Sequence, residues 1–279
     1  MAPPNPTGIL QKPLVTFYFC RHGETDLNIQ GLMQGSGVDA PLNDLGRRQA
    51  HYLGQRFRDI PVDWVITSGL ARAQQTAKEV LHHHPQCRYT EDPRLNEICW
   101  GEWEGKPTSI CSPVLARWNA GDYEAKSEGA ESAVEAGMRA LQAMDDVMKE
   151  IGSSQHVVLV LHGRLLRIIL SLLINRNLDF MNYYPHKNTS VNVVSAYKKE
   201  ALTEAEVACL NDELKLFEKA NTPVPSPMLT HANTEHFTKE SPTPADQVLD
   251  KAVRYSSDYY VNNFLFRPIL LNSLDHLPW

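Results

Sequence analysis

The stretch FYFCRHGETD, residues 17–26, decides how the chain reads. A run of apolar residues proceeds without polar alternation and stops at Arg21, His22 and Gly23, with the acids Glu24 and Asp26 beyond. An unbroken apolar run is what a strand needs when both faces of its sheet are covered, as in a parallel sheet flanked by helices. A second stretch has the same grammar: HVVLVLHGRLL, residues 156–166, also ends its apolar run in a His-Gly pair, His162 and Gly163. In open α/β sheets, ligands gather outside the carboxyl ends of the strands. A histidine there has its backbone held by the sheet and its ring over the crevice, and a glycine after it permits a sharp turn or a close approach. Two strands ending this way predict two imidazoles brought together from distant parts of the chain.

Outward from these strands the pattern alternates. DWVIT (63–67), NTSVNVVSAY (188–197) and NFLFRPILLNSLDHL (263–277) read as further strands. Between them, LNDLGRRQAHYLGQRF (42–57) has Asn43 as N-cap and an apolar face of Leu45, Leu53 and Phe57. SGLARAQQTAKEVL (68–81) and ESAVEAGMRALQAMDDVMKEI (131–151) also space their apolar residues as helices do. Strands alternating with helices predict an α/β fold, a three-layer α/β/α sandwich on a mostly parallel central sheet. Residues 1–13 read as a proline-bearing arm and 14–279 as a single domain. The charged and then proline-rich stretch at about 200–262 reads as an insertion before the last strand.

Composition narrows the function. The 279 residues are 42% hydrophobic, enough for a substantial core, and the formal net charge is -6 with no block of lysine or arginine. Nucleic-acid and membrane partners therefore have little electrostatic support. The longest apolar stretch, LLRIILSLLI (165–174), is too short to span a bilayer; it reads as a core helix with Arg167 inside it. The first residues carry no secretory or transit pattern, and the five cysteines form no C-x-x-C pair, so reduced thiols and a cytoplasmic location are expected.

Any anion must then be captured locally. Arg21 precedes the first histidine, and Arg72 falls in the first turn of a predicted helix, whose amides also attract anions. Two arginines, two histidines and a helix N-terminus suit a phosphoryl group, whose charge spreads over three oxygens. Glu97, in RLNEICWGEWEG (94–105), is flanked by Trp100 and Trp103, which would shield it from water, and is the candidate acid. His22, Glu24 and Asp26 are hard to place on one face once Gly23 breaks the strand, so no metal is expected.

RHGETDLN, QGSGVDAPLNDLGRRQA, TSGLARAQQTA, RLNEICWGEWEG, VLVLHGRLLR and NTSVNVV occur here in the order seen in the histidine phosphatase (phosphoglycerate mutase-like) superfamily, branch 1, which the chain resembles over about 14–197 and the final strand. QGSGVDAPL together with LNSLDHL most resembles the glycolysis-and-apoptosis-regulator type of fructose-2,6-bisphosphatase. The resemblance implies a phosphoglycerate mutase-like fold and a phosphatase acting on small phosphorylated metabolites. In it, His22 would be the nucleophile that becomes phosphohistidine and Glu97 the proton donor. Arg21, Arg72, His162 and Asn28 would hold the phosphoryl oxygens, helped by the backbone of Gly163, and no cofactor is implied because arginines and an imidazolium supply the positive charge. Lys106, Arg117 and Lys126 are the cations left in residues 106–128 for a second phosphate, fewer than the cofactor-dependent mutases carry. Hydrolysis is thus expected over mutase activity, with a non-catalytic phospho-ligand scaffold as the reading from another class.

Overall fold

A computed structural model describes residues 12–220 and 263–278. All of the expected 1–13 arm but its last two residues, and most of the expected insertion, 221–262, lie outside the described residues.

The first apolar run is strand β1, Val15–Arg21, and its neighbour across the sheet is the second His-Gly strand, β4, Gln155–Leu161. They run parallel with Arg21 opposite Leu161, and the His22 N–H donates to the Leu161 carbonyl at 2.9 Å. The two His-Gly pairs therefore emerge side by side. β2 (Trp64–Thr67) lies parallel on the other side of β4, and β3 (Arg88–Glu91) is parallel to β2 at the edge. Beyond β1 the direction reverses: β5 (Val191–Lys198) and β6 (Phe264–Ser273) are antiparallel, giving the order β3-β2-β4-β1-β5-β6. Four strands are parallel and two antiparallel, so the sheet is mixed but mostly parallel.

The pleat explains why β1 has no polar alternation. Phe17 and Phe19 pack on one face with α5 (Ala133–Glu150) and α6 (Gly163–Leu170), while Tyr18 and Cys20 pack on the other with α2 (Asp44–Phe57) and α3 (Ala71–His83). Each face carries a buried apolar cluster, and a sheet buried on both sides needs apolar residues at every position. The three layers expected from the sequence are thus present. Asn43 caps α2 as expected, accepting the Gly46 N–H, and a short helix α1 (Asp26–Ile29) is closed by a Thr25/Asn28 capping box.

Of the insertion, α7 (Glu204–Ala220) is described; a further helix, α4, spans Ser112–Asn119. Leu210 of α7 packs with Tyr197 and Leu265 at the β5–β6 end of the sheet. This helix packs outside and contributes nothing to the cavity at the ends of β1 and β4.

Candidate active site

A cavity of about 230 Å³ opens at the carboxyl ends of β1 and β4, lined by Arg21, His22, Asn28, Arg72, Glu97 and Gly163 among others. Six of the seven residues expected from the sequence meet on its wall. The seventh, His162, is fully buried and stands against His22, the ring centroids 5.3 Å apart.

The two imidazoles present opposite nitrogens. His22 Nδ1 lies 2.6 Å from the Gly23 carbonyl, which can only accept, so the proton sits on Nδ1 and Nε2 keeps a free lone pair. His162 Nε2 is 2.7 Å from Ser68 Oγ, and that hydroxyl already accepts the Leu70 N–H. If that hydroxyl gives its own proton to Nε2, the His162 proton sits on Nδ1, an atom with no protein partner. Burial, reinforced by Arg72, depresses both rings well below the usual histidine range, so both are neutral at neutral pH. With both rings held toward the neutral form, the lasting positive charge of the site is that of the arginines.

Arg72 is wholly buried and donates to the carbonyls of Val38 and Gly35, while Arg21 donates to the His186 carbonyl at 2.7 Å. Each guanidinium keeps a buried Nε without a partner, and four of the six buried side-chain atoms in that condition among the described residues belong to Arg21, Arg72, His162 and His186. Orphaned donors concentrated around one cavity mark a place built to receive acceptor oxygens. A Cβ on Gly163 would stand 3.2 Å from Arg21 Nε, so glycine is what lets this guanidinium lie against the start of α6. Asn28 is fixed by its neighbours: its Oδ1 accepts from Thr25 N and from Asn188 Nδ2, which leaves its own Nδ2 to donate.

Glu97 is held by the helix that begins after the second histidine. Its Oε1 accepts from Ile98 N and Leu165 N, and its Oε2 accepts one bond, from Arg164 N, keeping a lone pair for a proton. Arg139 of α5 holds the loop from behind, donating to the carbonyls of Arg94, Asn96 and Glu97 while paired to Glu131. Trp100 lines the cavity; Trp103 instead packs against the core.

Two expectations are corrected. The first amide of α3 is not free for an anion, because Ala71 N donates to Asp39 Oδ1 at 2.7 Å. Arg117 and Lys126 are taken by Asp122 and Glu135, and neither they nor Lys106 lines the cavity. The further cations are Arg164 and Arg167, one helical turn apart on α6 and both on the cavity wall. Burial and Arg164 lower Arg167 to about 10, which leaves it charged at neutral pH. His186, Ser68, Asn188 and Arg139 were also not singled out in the sequence. No group of three or more metal-ligating side chains occurs among the described residues, and none of their helices is long and apolar enough to cross a membrane.

A site of paired histidines and arginines at the carboxyl ends of two parallel strands narrows the class of protein, and comparison supplies the family. Residues 17–207 match the model of the histidine phosphatase superfamily (branch 1), and the chain belongs to that family. It is similar to the probable phosphoglycerate mutase GpmB of Yersinia pestis (strain Pestoides F), with 35% identity over 167 residues, 58% of this chain and 75% of that one. Among solved structures it resembles Bacillus stearothermophilus YhfR, with 30% identity and a TM-score of 0.58 over 65% of this chain and 91% of that one. It also resembles the alpha-ribazole phosphatase of Shigella flexneri, with 26% identity and a TM-score of 0.55 over 64% and 90%. The chain is an enzyme of the phosphatase type, with phosphatase and mutase-like relatives.

Proposed function

We propose that this enzyme hydrolyses small-molecule phosphomonoesters, sugar phosphates among them, through phosphohistidine on His22 and without a metal. The observation that carries the reading is the state of the His22 ring: the Gly23 carbonyl holds the proton on Nδ1, and burial with Arg72 and Arg21 keeps Nε2 unprotonated and nucleophilic. Nε2 attacks phosphorus; as the N–P bond forms, the ester P–O bond breaks and the leaving oxygen takes a proton from Glu97. Water then attacks the phosphohistidine, Glu97 takes its proton, and the N–P bond breaks to release orthophosphate. Arg21, Arg72, Asn28 Nδ2 and His162 Nδ1–H donate to the phosphoryl oxygens, each such donor contributing about 3–4 kcal/mol in comparable sites. Arg164 and Arg167 on the same wall favour esters whose leaving half carries a second anionic group.

The test is phosphate release in EDTA from para-nitrophenyl phosphate and from a panel including fructose 2,6-bisphosphate, for the wild type and His22→Ala. Activity unchanged in the variant removes the mechanism. A mutase reading is favoured by the similarity to GpmB and by the second pair of cations. An NMR time course with 3-phosphoglycerate separates the two, since a mutase yields 2-phosphoglycerate with little orthophosphate.

A further inference from the structure

His186 lies on the cavity wall with Arg164 and Arg167, is 7% exposed, and has a buried Nε2 that no protein atom satisfies. Its protonation pattern is dictated from behind. Asn192 Oδ1 accepts the Asn272 N–H at 2.8 Å, and Asn192 Nδ2 donates to the Phe19 carbonyl at 3.1 Å; these partners leave the amide one orientation. The same Nδ2 is 3.2 Å from His186 Nδ1, which must accept, so the proton is on Nε2, the atom without a partner. The register of β5 against β6 is irregular at this point, where Asn272 takes a left-handed φ of 51° and also accepts the Lys187 N–H. The end of the last strand thus fixes both the 186–188 segment and the tautomer of its histidine.

Charge distinguishes this wall from the His22 end. Burial and then Arg167 hold His186 down to about 3, whereas Arg72 is the leading charge on His22 and His162. His186 is consequently a neutral, directional donor among cations, adding a hydrogen bond without adding repulsion.

We propose that His186 is a specificity-determining residue: its Nε2–H binds an anionic oxygen group, carboxylate or phosphate, on the leaving half of the substrate, in company with Arg164 and Arg167. The proposal rests on the phosphatase reading and names the feature of the substrate that the reading leaves open. A buried donor with no protein partner is costly to keep unless a ligand satisfies it.

Glycerol 3-phosphate and 3-phosphoglycerate differ by a hydroxymethyl group against a carboxylate, and 2,3-bisphosphoglycerate adds a phosphate. The wild type should favour the two acids in kcat/KM. His186→Phe should lower that preference about tenfold, mainly through KM, and His186→Gln, which restores an N–H donor, should recover part of it. Whichever acid loses more identifies the group bound; equal losses on all three esters, in variants whose melting curves match the wild type, overturn the proposal. Long-range ¹H–¹⁵N spectra of full-length His22→Ala give a reading independent of turnover. They should show the Nε2–H tautomer at His186 and a shift of that proton on adding 3-phosphoglycerate. The Nδ1–H tautomer, or no shift, overturns the proposal even if the wild type releases phosphate. A wild type without phosphatase activity overturns the earlier reading while these spectra still test His186.

Discussion

The ends of β1 and β4 share the same two residues, histidine and glycine, and use them differently. After β1 the chain runs into a loop and His22 turns its Nδ1 back onto the carbonyl of Gly23, leaving Nε2 for chemistry. After β4 the helix α6 starts at once, with His162 as its N-cap and its ring pinned through Nε2 to Ser68. The glycines differ likewise. A Cβ on Gly23 would stand 2.5 Å from the Gly46 carbonyl oxygen of α2, whereas one on Gly163 would meet the side chain of Arg21. Whether the strand gives way to a loop or to a helix decides which nitrogen is offered and what the glycine makes room for.

The contrast is easiest to break at the nucleophile. His22→Ala should lower phosphate release by about 10³-fold or more, and the acid-labile phosphoenzyme formed by the wild type should vanish from a quenched-labelling assay. If His162→Ala rather than His22→Ala abolished the phosphoenzyme, the two strand ends would have exchanged roles. Glu97→Gln should come next, lowering turnover of an alkyl ester by about 10²- to 10⁴-fold. The loss should be smaller with para-nitrophenyl phosphate, whose leaving phenolate needs no proton. Equal losses on both would make Glu97 an anchor for α6 alone, the part its bonds to Arg164 N and Leu165 N already give it.

The glycines sharpen the comparison through stability. Gly23→Ala sets a Cβ against backbone on both sides of the contact, so α2 must shift; destabilisation by about 1–3 kcal/mol is expected in urea unfolding. Gly163→Ala meets a side chain that can move, so its effect should fall on KM for phosphate esters, with a smaller loss of stability. A larger loss of stability for Gly163→Ala would reverse this assignment.

Much of this was legible in the sequence, for identifiable reasons. β1 and β4 announced themselves because a strand buried on both faces has no polar alternation to hide it, and Asn43 marked the start of α2 through its cap. The edge strand β3, RYTE, was missed: it is four residues long and mostly exposed, so burial left no pattern on it. In the site, histidines and arginines placed at strand ends and helix starts could be named, and the cavity gathers them. Arg164 escaped, and Arg167 read only as part of a core helix, because that helix is otherwise apolar, although a spacing of three already put them on one face. His186 and Arg139 act through partners distant in sequence, Asn192 and Asn272 for one and the 94–97 carbonyls for the other, and no local pattern records such contacts.

The most gradual effect is on acid stability, where the two strand ends should behave alike. Burial depresses His22 and His162 well below the histidine range, His186 to about 3 and His276 to about 4, while in the unfolded chain each titrates near 6.5. Below pH 6.5 the unfolded state therefore binds more protons than the folded one, and stability falls as the pH falls. The contribution is complete above about pH 6.5 and declines from there toward the folded values, by about 1.4 kcal/mol per pH unit for each ring. Urea midpoints measured from pH 7.5 down to 4.5 should trace this slope ahead of most carboxylate protonation. Replacing His22 or His162 singly by Asn should reduce the slope by a similar amount in each case. A reduction for one and not the other would mean that the buried charges treat the two rings differently, and the likeness of the strand ends would stop at their sequence.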